Sequence, residues 1–305
     1  MDNIYIIGAG AIGKVLAVFL KLSNKNVIII RGSIDNKPSY IKKIQVEMYD
    51  KTILEAEIEV STLSNFATLQ GIIILTNKSY GNLQLAQNLK NKTNDSPIVL
   101  MQNGLDIENP FINNNFPEIY RCILFASSQP ISENKLAFKP ISASLIGTVK
   151  SSSDILDLIV KQLNSNNFQF KAEENIQIII WKKAIVNSVF NSICPILEID
   201  NGIFHRNENA LEIAKRIIVE CITIAKAAGI FLSVGEVVES LLQISKFSHG
   251  QYISTYQDIK NKRKTEIETM NFAIANVAKK MNKEDELTET KLLGELVKLK
   301  SELTR

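Results

Sequence analysis

Three glycines near the start of the chain have the spacing that binds a phosphate group through backbone atoms. The stretch Gly8-Ala9-Gly10-Ala11-Ile12-Gly13 lies between an apolar run, residues 3–7, and a helix-forming run, residues 14–20. The first glycine permits a tight turn, the second lets the backbone approach a pyrophosphate, and the third lets the helix pack closely on the sheet. N–H groups at the helix start then meet the negative charge. This context favours a dinucleotide-binding loop over an ordinary glycine-rich turn.

The residue at the end of the second apolar run indicates which dinucleotide binds. Residues 26–30 form that run, and Arg31 follows them. Proteins that bind NAD usually have an acid here for the ribose 2′-hydroxyl, whereas an arginine can pair with a 2′-phosphate. We therefore expect NADP(H) as the cofactor. A solvated arginine at a strand end is the alternative interpretation, and Asp35, deeper in the loop, is a lower-ranked acidic substitute.

A polar stripe in the second half of the chain has the composition of a binding surface. Lys183, Asn187 and Asn191 are spaced four residues apart, so a helix places them on one face. They lie among Ala, Ile, Val and Phe, where burying them without partners would be costly. The wall of a cleft explains them, and a solvated polar stripe explains them equally well from the pattern alone.

The elements that must position these residues alternate between strand and helix in the first half of the chain. Residues 71–75 and 97–101 are continuous apolar runs, as expected for parallel strands covered on both faces. Ligands of such sheets bind beyond the carboxyl ends of the strands. Lys78 and Asn103 follow these two runs, as Gly8 and Arg31 follow the first two, so we expect the four residues to serve one site. Residues 34–60 predict a hairpin excursion.

The second half of the chain is nearly all helical in pattern. We predict helices over residues 174–192, 207–228, 235–247, 251–281 and 286–302. The predicted fold class is an α/β Rossmann-type dinucleotide-binding domain, residues 1–172, followed by an all-α substrate and catalytic domain, residues 173–305. The active site is expected in the cleft between them.

Bulk properties exclude several classes of protein. The chain has 305 residues, enough for two domains, and its net charge of +3 is too small to imply a nucleic acid or a membrane as partner. Cys122, Cys194 and Cys221 form no C-x-x-C motif and indicate reduced thiols. With only His205 and His249, we expect no metal site. No signal peptide or membrane-spanning run is visible, so we expect a cytoplasmic protein.

Over nearly its whole length the chain resembles the ketopantoate reductase (2-dehydropantoate 2-reductase) family. The resemblance rests on the glycine loop, Arg31, Lys78, the Gln102-Asn103-Gly104 turn, and residues 181–191, 254–259 and 264–268. The last two segments are similar to the family's S-x-x-Q-D and T-E-I-D sequences, and Glu268 replaces the aspartate of the latter. The family's activity implies reduction of a small keto acid by NADPH.

The resemblance also implies roles for individual residues. Lys183 matches the catalytic lysine, which donates a proton to the 2-keto oxygen of the substrate. Glu266 would hold that lysine or the cofactor ribose, although a charged run such as residues 262–266 usually forms a solvated face. Asn103 would position the nicotinamide ribose and the substrate. Lys78 would support the cofactor.

Three further residues would contact the substrate. Asn187 and Asn191 would bind its polar groups, the second its 4-hydroxyl, and Ser254 would hydrogen-bond its carboxylate. Asp258, one helical turn after Ser254, is either part of this set or a structural group that bridges helices.

Two other functions and the oligomeric state stay open from sequence. A relative that reduces another small 2-keto or β-keto acid would keep the cofactor and the lysine, whereas a non-catalytic NADP(H) sensor would need no proton donor. A homodimer is also open, because the leucines near the end of the chain suit either a core helix or a dimer face. These are Leu287, Leu292, Leu293, Leu296 and Leu299.

Overall fold

The computed structural model describes residues 3–305, and the chain divides into two compact units. The first comprises Met1–Gln102 and Ile107–Ile176, and the second comprises Asn103–Asp106 and Gln177–Arg305. The described strands all lie in the first unit, and the second is helical. The predicted fold class, an α/β Rossmann-type domain followed by an all-α domain, is therefore confirmed.

The strands of the first unit form one mixed sheet of eleven strands within the described residues. They are β1 (Asn3–Ile7), β2 (Asn26–Arg31), β3 (Tyr40–Met48), β4 (Ile53–Thr62), β5 (Ile72–Leu75), β6 (Ile98–Leu100), β7 (Ile119–Ile123), β8 (Ala126–Pro130), β9 (Lys135–Pro140), β10 (Ser144–Lys150) and β11 (Phe170–Ala172). Their order is β11-β10-β7-β6-β5-β1-β2-β4-β3-β9-β8. The helices of this unit are α1 (Ala11–Leu22), α2 (Asn82–Leu89), α3 (Asn109–Asn113) and α4 (Leu156–Leu163).

Continuous apolar strands form the parallel centre of this sheet because both of its faces are buried. In β1, Ile4 and Ile6 pack in one core with residues of α1, whereas Tyr5 and Ile7 pack in a second core with residues of α2 and α3. Strands β6, β5, β1 and β2 run parallel in that order. Their carboxyl ends therefore meet at one edge of the sheet, as the sequence predicted.

The predicted hairpin excursion extends the same sheet. Strands β3 and β4 pair antiparallel, and β4 also runs parallel to β2, with Ile29 opposite Val60. A second hairpin, β8 and β9, continues the sheet beyond β3. The apolar runs in the sequence predicted only the parallel strands at the centre of the sheet. The antiparallel pairs β3–β4 and β8–β9 make the whole sheet mixed.

The second unit consists of helices, and side chains cap the first turn of three of those described. They are α5 (Ile176–Leu197), α6 (Ile203–Arg206), α7 (Glu208–Ala227), α8 (Val234–Phe247), α9 (Ser254–Lys260), α10 (Asn271–Lys280) and α11 (Thr288–Leu303). Asn207 caps α7 by accepting a hydrogen bond from the Ala210 N–H, and Ser233 caps α8 in the same way. The Glu220 carboxylate accepts hydrogen bonds from the N–H groups of Glu289 and Thr290 and so caps α11. No helix among the described residues is long and apolar enough to cross a membrane.

The prediction of one helix over residues 251–281 is wrong. Helix α9 ends at Lys260, and the chain turns through Lys262 at a φ of 56° before α10 begins at Asn271. The Arg263 N–H donates to the Asp258 carbonyl and its side chain pairs with the Asp258 carboxylate at 2.9 Å. The turn contains neither Gly nor Pro, so the sequence carried no sign of the break.

Candidate active site

The glycine loop makes a turn that a side chain would block. Gly8 has a φ of +122°, and a Cβ atom there would lie 2.5 Å from the Asn77 backbone nitrogen. The Gly8 N–H donates to the Ile30 carbonyl at 2.9 Å, and the Thr76 hydroxyl donates to the Gly8 carbonyl at 3.0 Å. A Cβ atom at Gly13 would meet the same Gly8 carbonyl oxygen and the Thr76 hydroxyl. Both glycines are therefore required by packing.

The first turn of α1 suits an anion. Gly10 caps the helix in an extended conformation, no side chain of the described residues caps it, and its first turn has no acidic residue. Ala9 and Gly10 are exposed, and a Cβ atom at Gly10 would meet nothing within 4 Å. The helix therefore presents N–H groups to open space, as a pyrophosphate requires. The residues present fit a dinucleotide.

Arg31, at the end of β2, and the acidic alternative Asp35 have different surroundings. Arg31 is half-buried, whereas Asp35 lies in an exposed loop. One Asp35 carboxylate oxygen accepts a hydrogen bond from the Ser64 N–H at 2.9 Å. This bond, together with one from the Ser64 side chain, lowers the pKa of the Asp35 carboxyl. Asp35 thus accepts hydrogen bonds from the turn that follows β4.

Lys78 follows β5 in a turn that a pair of buried amides secures. The side chains of Asn82 and Gln102 exchange two hydrogen bonds, both 2.8 Å long. The Gln102 amide also donates to the Asn77 carbonyl at 2.9 Å, immediately before Lys78. Sequence reasoning missed Asn82, whose position four residues after Lys78 carries no distinctive pattern.

Helix α5 carries the predicted polar stripe. Lys183 and Asn187 are half-buried, and Asn191 is buried with 1% of its surface exposed. Lys182 lies elsewhere on the helix, with its Nζ atom 3.9 Å from a Glu236 carboxylate oxygen.

Asn191 is tied to α9, where Ser254 is located. The Thr255 hydroxyl donates to Asn191 Oδ1 at 2.7 Å, and Asn191 Nδ2 donates to the Asn187 carbonyl at 2.9 Å. Ser254 is exposed at the first residue of α9, next to Thr255. The structure thus links Asn191 to the start of α9. Thr255 was missed from sequence, because a buried threonine has no functional signature.

Glu266 is buried, with 7% of its surface exposed, although Lys264 two residues earlier is exposed. The solvated-face alternative therefore does not describe this carboxylate. The Glu266 carbonyl accepts from the Thr269 N–H at 3.0 Å, and the Thr269 carbonyl accepts from the Leu105 N–H at 2.9 Å. A Cβ atom at Gly104 would lie 2.5 Å from the Thr269 carbonyl oxygen. This close approach holds the Asn103–Asp106 segment against the turn that follows Glu266.

Three other polar residues have structural surroundings. Asp258 is buried and pairs with Arg263, consistent with the structural interpretation of this residue. His205 Nδ1 lies 3.1 Å from the Ser245 hydroxyl, and His249 lies beside Arg206. The predicted site residues therefore form two groups. Gly8–Gly13, Arg31 and Lys78 belong to the first unit, and Asn103, Lys183, Asn187, Asn191, Ser254 and Glu266 belong to the second.

Comparison with solved structures finds the same fold in several proteins. A ketopantoate reductase of the PanE/ApbA family from Ralstonia eutropha superposes with a TM-score of 0.84 at 17% identity, covering 99% of each chain. A D-mandelate dehydrogenase in complex with NADH and anilino(oxo)acetate gives a TM-score of 0.83 at 22% identity, with the same coverage. At these identities the likeness concerns the fold alone.

Sequence comparison identifies the family. Residues 4–141 match the family described as "Ketopantoate reductase PanE/ApbA", and residues 175–301 match its C-terminal part. A 2-dehydropantoate 2-reductase of Pyrococcus horikoshii is 30% identical over 304 residues, covering 99% of this chain and 98% of that protein. One from Pyrococcus abyssi is 27% identical over 283 residues, covering 92% and 93%. The chain belongs to the ketopantoate reductase family.

Proposed function

We propose that this protein is an NADPH-dependent reductase that converts 2-dehydropantoate to pantoate, a step toward pantothenate and coenzyme A. The observation that carries the proposal is the polar face of α5, where Lys183 and Asn187 are half-buried and Asn191 is linked to the start of α9. Its relatives named 2-dehydropantoate 2-reductase match over nearly the whole chain. A protein that shared the fold but not the activity would not need Lys183, Asn187 and Asn191 on one face of α5.

The choice of NADPH over NADH rests on the end of β2. Arg31 offers a guanidinium where a 2′-phosphate would lie, and a phosphate suits the paired N–H groups of an arginine. Asp35, the acid that would favour NADH, already accepts a hydrogen bond from Ser64. Gly8, Gly10 and Gly13 shape the loop for the pyrophosphate, and Lys78 adds a cation on the same edge of the sheet.

The chemistry assigned to Lys183 is proton donation. Bound NADPH supplies a hydride to the carbonyl carbon of the substrate. The Lys183 ammonium hydrogen-bonds the keto oxygen, stabilises the charge that develops on it and transfers a proton to it. The product is the 2-hydroxy acid, and Lys183 regains its proton from solvent. Glu266, a buried carboxylate, holds the ammonium or the cofactor ribose.

The remaining residues orient the substrate. Asn103 positions the nicotinamide ribose and the keto acid, and Asn187 binds the polar groups of the substrate. Asn191 has one Nδ2 proton left after its bond to the Asn187 carbonyl, which suits a hydroxyl oxygen at C4. Ser254, exposed at the start of α9, donates to the carboxylate.

The test is an assay of NADPH oxidation with 2-dehydropantoate. The natural chain is expected to turn over this acid, and Lys183→Ala is expected to lower kcat by about a hundredfold or more while leaving NADPH affinity unchanged. Lys182→Ala is the matched control, because this lysine lies one residue away and near Glu236. It should retain the kcat of the natural chain.

The same assay distinguishes the alternatives. Pyruvate, 2-ketoisovalerate and 3-keto acids are supplied in parallel, and a higher kcat/KM for one of them would replace the proposed substrate. Tight NADPH binding without turnover of any acid would instead indicate a sensor. Equal loss of activity in Lys182→Ala and Lys183→Ala would contradict the assignment of Lys183 as the proton donor.

A further inference from the structure

A buried ion pair lies at the base of the loop that carries Asn103. Arg121 donates a hydrogen bond from Nη1 to Glu108 Oε2, and both side chains are buried, with 1% and 8% of their surfaces exposed. Arg121 lies in β7 opposite Leu100, the last residue of β6, and Glu108 immediately precedes α3. The pair therefore joins the strand beside the start of the loop to the residue at its end.

The surroundings of this pair are apolar. One buried core of the first unit includes Leu100, Ile107, Phe111 and Ile119. Side chains alternate along a strand, so Arg121 shares the sheet face of Ile119, where an apolar residue would complete the core. Burying two charges carries a large desolvation cost, and a well-packed apolar pair of similar volume is often equally or more stable. Stability alone therefore does not explain an arginine and a glutamate here.

Buried amides hold the same loop at two further points. The Asn82 side chain donates to Gln102 Oε1 at 2.8 Å and to the Ile107 carbonyl at 2.9 Å. These two acceptors flank the Asn103–Asp106 segment in the chain. Because Glu108 follows Ile107 directly, the ion pair and the amide bonds together fix the backbone on both sides of the segment.

We propose that Arg121 and Glu108 are positioning residues, which hold this loop so that Asn103 meets the nicotinamide ribose and the keto acid. This role rests on the proposed function, because it depends on the contacts assigned there to Asn103. A charge-assisted hydrogen bond has a defined length and direction, whereas apolar side chains can slide against each other. A group displaced by about 1 Å can lower a rate about a hundredfold. Replacing the pair should therefore slow turnover even when the fold is retained.

The test removes both charges together, by combining Arg121→Met with Glu108→Leu. Because neither charge is left buried alone, the free energy of unfolding in urea should equal or exceed that of the natural chain. The kcat for NADPH and 2-dehydropantoate is expected to fall by about tenfold or more. The fluorescence lifetime of bound NADPH should shorten, because a nicotinamide that Asn103 no longer holds moves more freely. The dissociation constant of NADPH should change little, since the glycine loop and Arg31 are intact.

Tyr120→Phe is the matched control. Tyr120 precedes Arg121 in β7 but packs in the other core of the first unit, and its hydroxyl donates to Glu118. This variant should lose stability and keep the kcat and the NADPH lifetime of the natural chain. Arg121→Lys retains a charged donor for Glu108 and should lose less of kcat than the double variant.

Several results would overturn the proposal. They are a double variant with the kcat and NADPH lifetime of the natural chain, a double variant that circular dichroism shows to be unfolded, an equal loss of kcat in Tyr120→Phe, or a larger loss in Arg121→Lys. A natural chain that does not turn over 2-dehydropantoate would instead contradict the proposed function. The lifetime of bound NADPH would then still decide whether the pair positions the nicotinamide.

Discussion

The glycine loop of the first unit offers backbone groups to a ligand, whereas the polar face of α5 in the second unit offers side chains. In the proposed function the loop binds the cofactor through backbone atoms, which the lack of side chains at Gly8 and Gly10 leaves accessible. The proposed role of the α5 face depends on its side chains, one of which, Asn191, is hydrogen-bonded to Thr255 in α9. A backbone site can therefore be recognised from a local motif, whereas a side-chain site requires knowledge of which distant segments meet.

The largest effect is expected in the glycine loop, where alanine substitutions at Gly8 and Gly10 should separate folding from cofactor binding. Gly8→Ala is expected to reduce the free energy of unfolding by about 3 kcal/mol, because it forces a φ of +122° on alanine and a clash with Asn77. Gly10→Ala should change that free energy by less than about 0.5 kcal/mol but weaken NADPH binding. Chemical denaturation and fluorescence titration with NADPH measure the two quantities. Equal loss of stability in both variants would contradict the division of roles within the loop.

Arg31 is the side chain to which we assign the choice of cofactor. Arg31→Asp is expected to weaken NADPH binding by about a hundredfold, equivalent to ~2.7 kcal/mol, because it replaces a charged donor with a charge that repels phosphate. NADH binding should change much less. Isothermal titration with both cofactors checks this, and equal effects on the two would exclude the 2′-phosphate role.

The two units each contain a nearly buried carboxylate, and these should respond differently to removal of charge. Glu118, before β7, accepts hydrogen bonds from the Tyr120 and Ser151 hydroxyls and from both the N–H and the hydroxyl of Ser152. Burial alone would raise the pKa of Glu118, but these hydrogen bonds lower it from 4.5 to about 2. The ionised form therefore stabilises the folded state.

Glu118→Gln should accordingly lower the free energy of unfolding at neutral pH by about 1–2 kcal/mol without changing kcat. Because the pKa is lowered in the folded state, the stabilisation is complete above pH 4.5 and is lost as the pH falls through about 2. The difference between variant and natural chain should shrink over that range in urea denaturation. Glu266→Gln should instead lower kcat and change the free energy of unfolding little. A loss of kcat in Glu118→Gln together with a loss of stability alone in Glu266→Gln would contradict the roles assigned to the two carboxylates.

The smallest expected effect concerns the hydrogen bond between Thr255 and Asn191. Thr255→Val removes the donor to Asn191 Oδ1 and should cost about 1 kcal/mol in the binding of 2-dehydropantoate, seen as a several-fold rise in KM. Thr255→Ser keeps the hydroxyl and should restore the KM. An analogue without the 4-hydroxyl, 3,3-dimethyl-2-oxobutanoate, should be affected little by either change. An equal rise in KM for both acids would show that Asn191 does not contact that hydroxyl.

The sequence predicted the first unit well because its signals are local. The strand ends at Ile7, Arg31 and Leu75 and the turn at Gly8 each follow from a few neighbouring residues. The break after α9 was missed because it depends on the pairing of Asp258 with Arg263, in a stretch without Gly or Pro. Its consequence is that Glu266 lies in a turn and is buried, which a continuous helix with a charged face did not suggest.

The site residues of the second unit needed the family resemblance. Lys183, Asn187 and Asn191 could be grouped by helical spacing, but a solvated stripe has the same spacing. Neither Thr255 nor Asn82 carried a signal, since a buried polar residue becomes informative only when its partner is known. The resemblance also assigned the proton donor to Lys183 rather than to the adjacent Lys182. The variants proposed at Lys182 and Lys183 test this assignment.

The Asn103–Asp106 segment makes the two units inseparable by a single cut. The chain leaves the first unit after Gln102, returns to it at Ile107 and leaves it again after Ile176, so three peptide connections join the units. A fragment that starts at Gln177 would lack Leu105, whose N–H is bonded to the Thr269 carbonyl beside Glu266. A chimera that combines the first unit of one relative with the second unit of another must therefore take these four residues from the same relative as the second unit. In the sequence they lie between the two segments of the first unit.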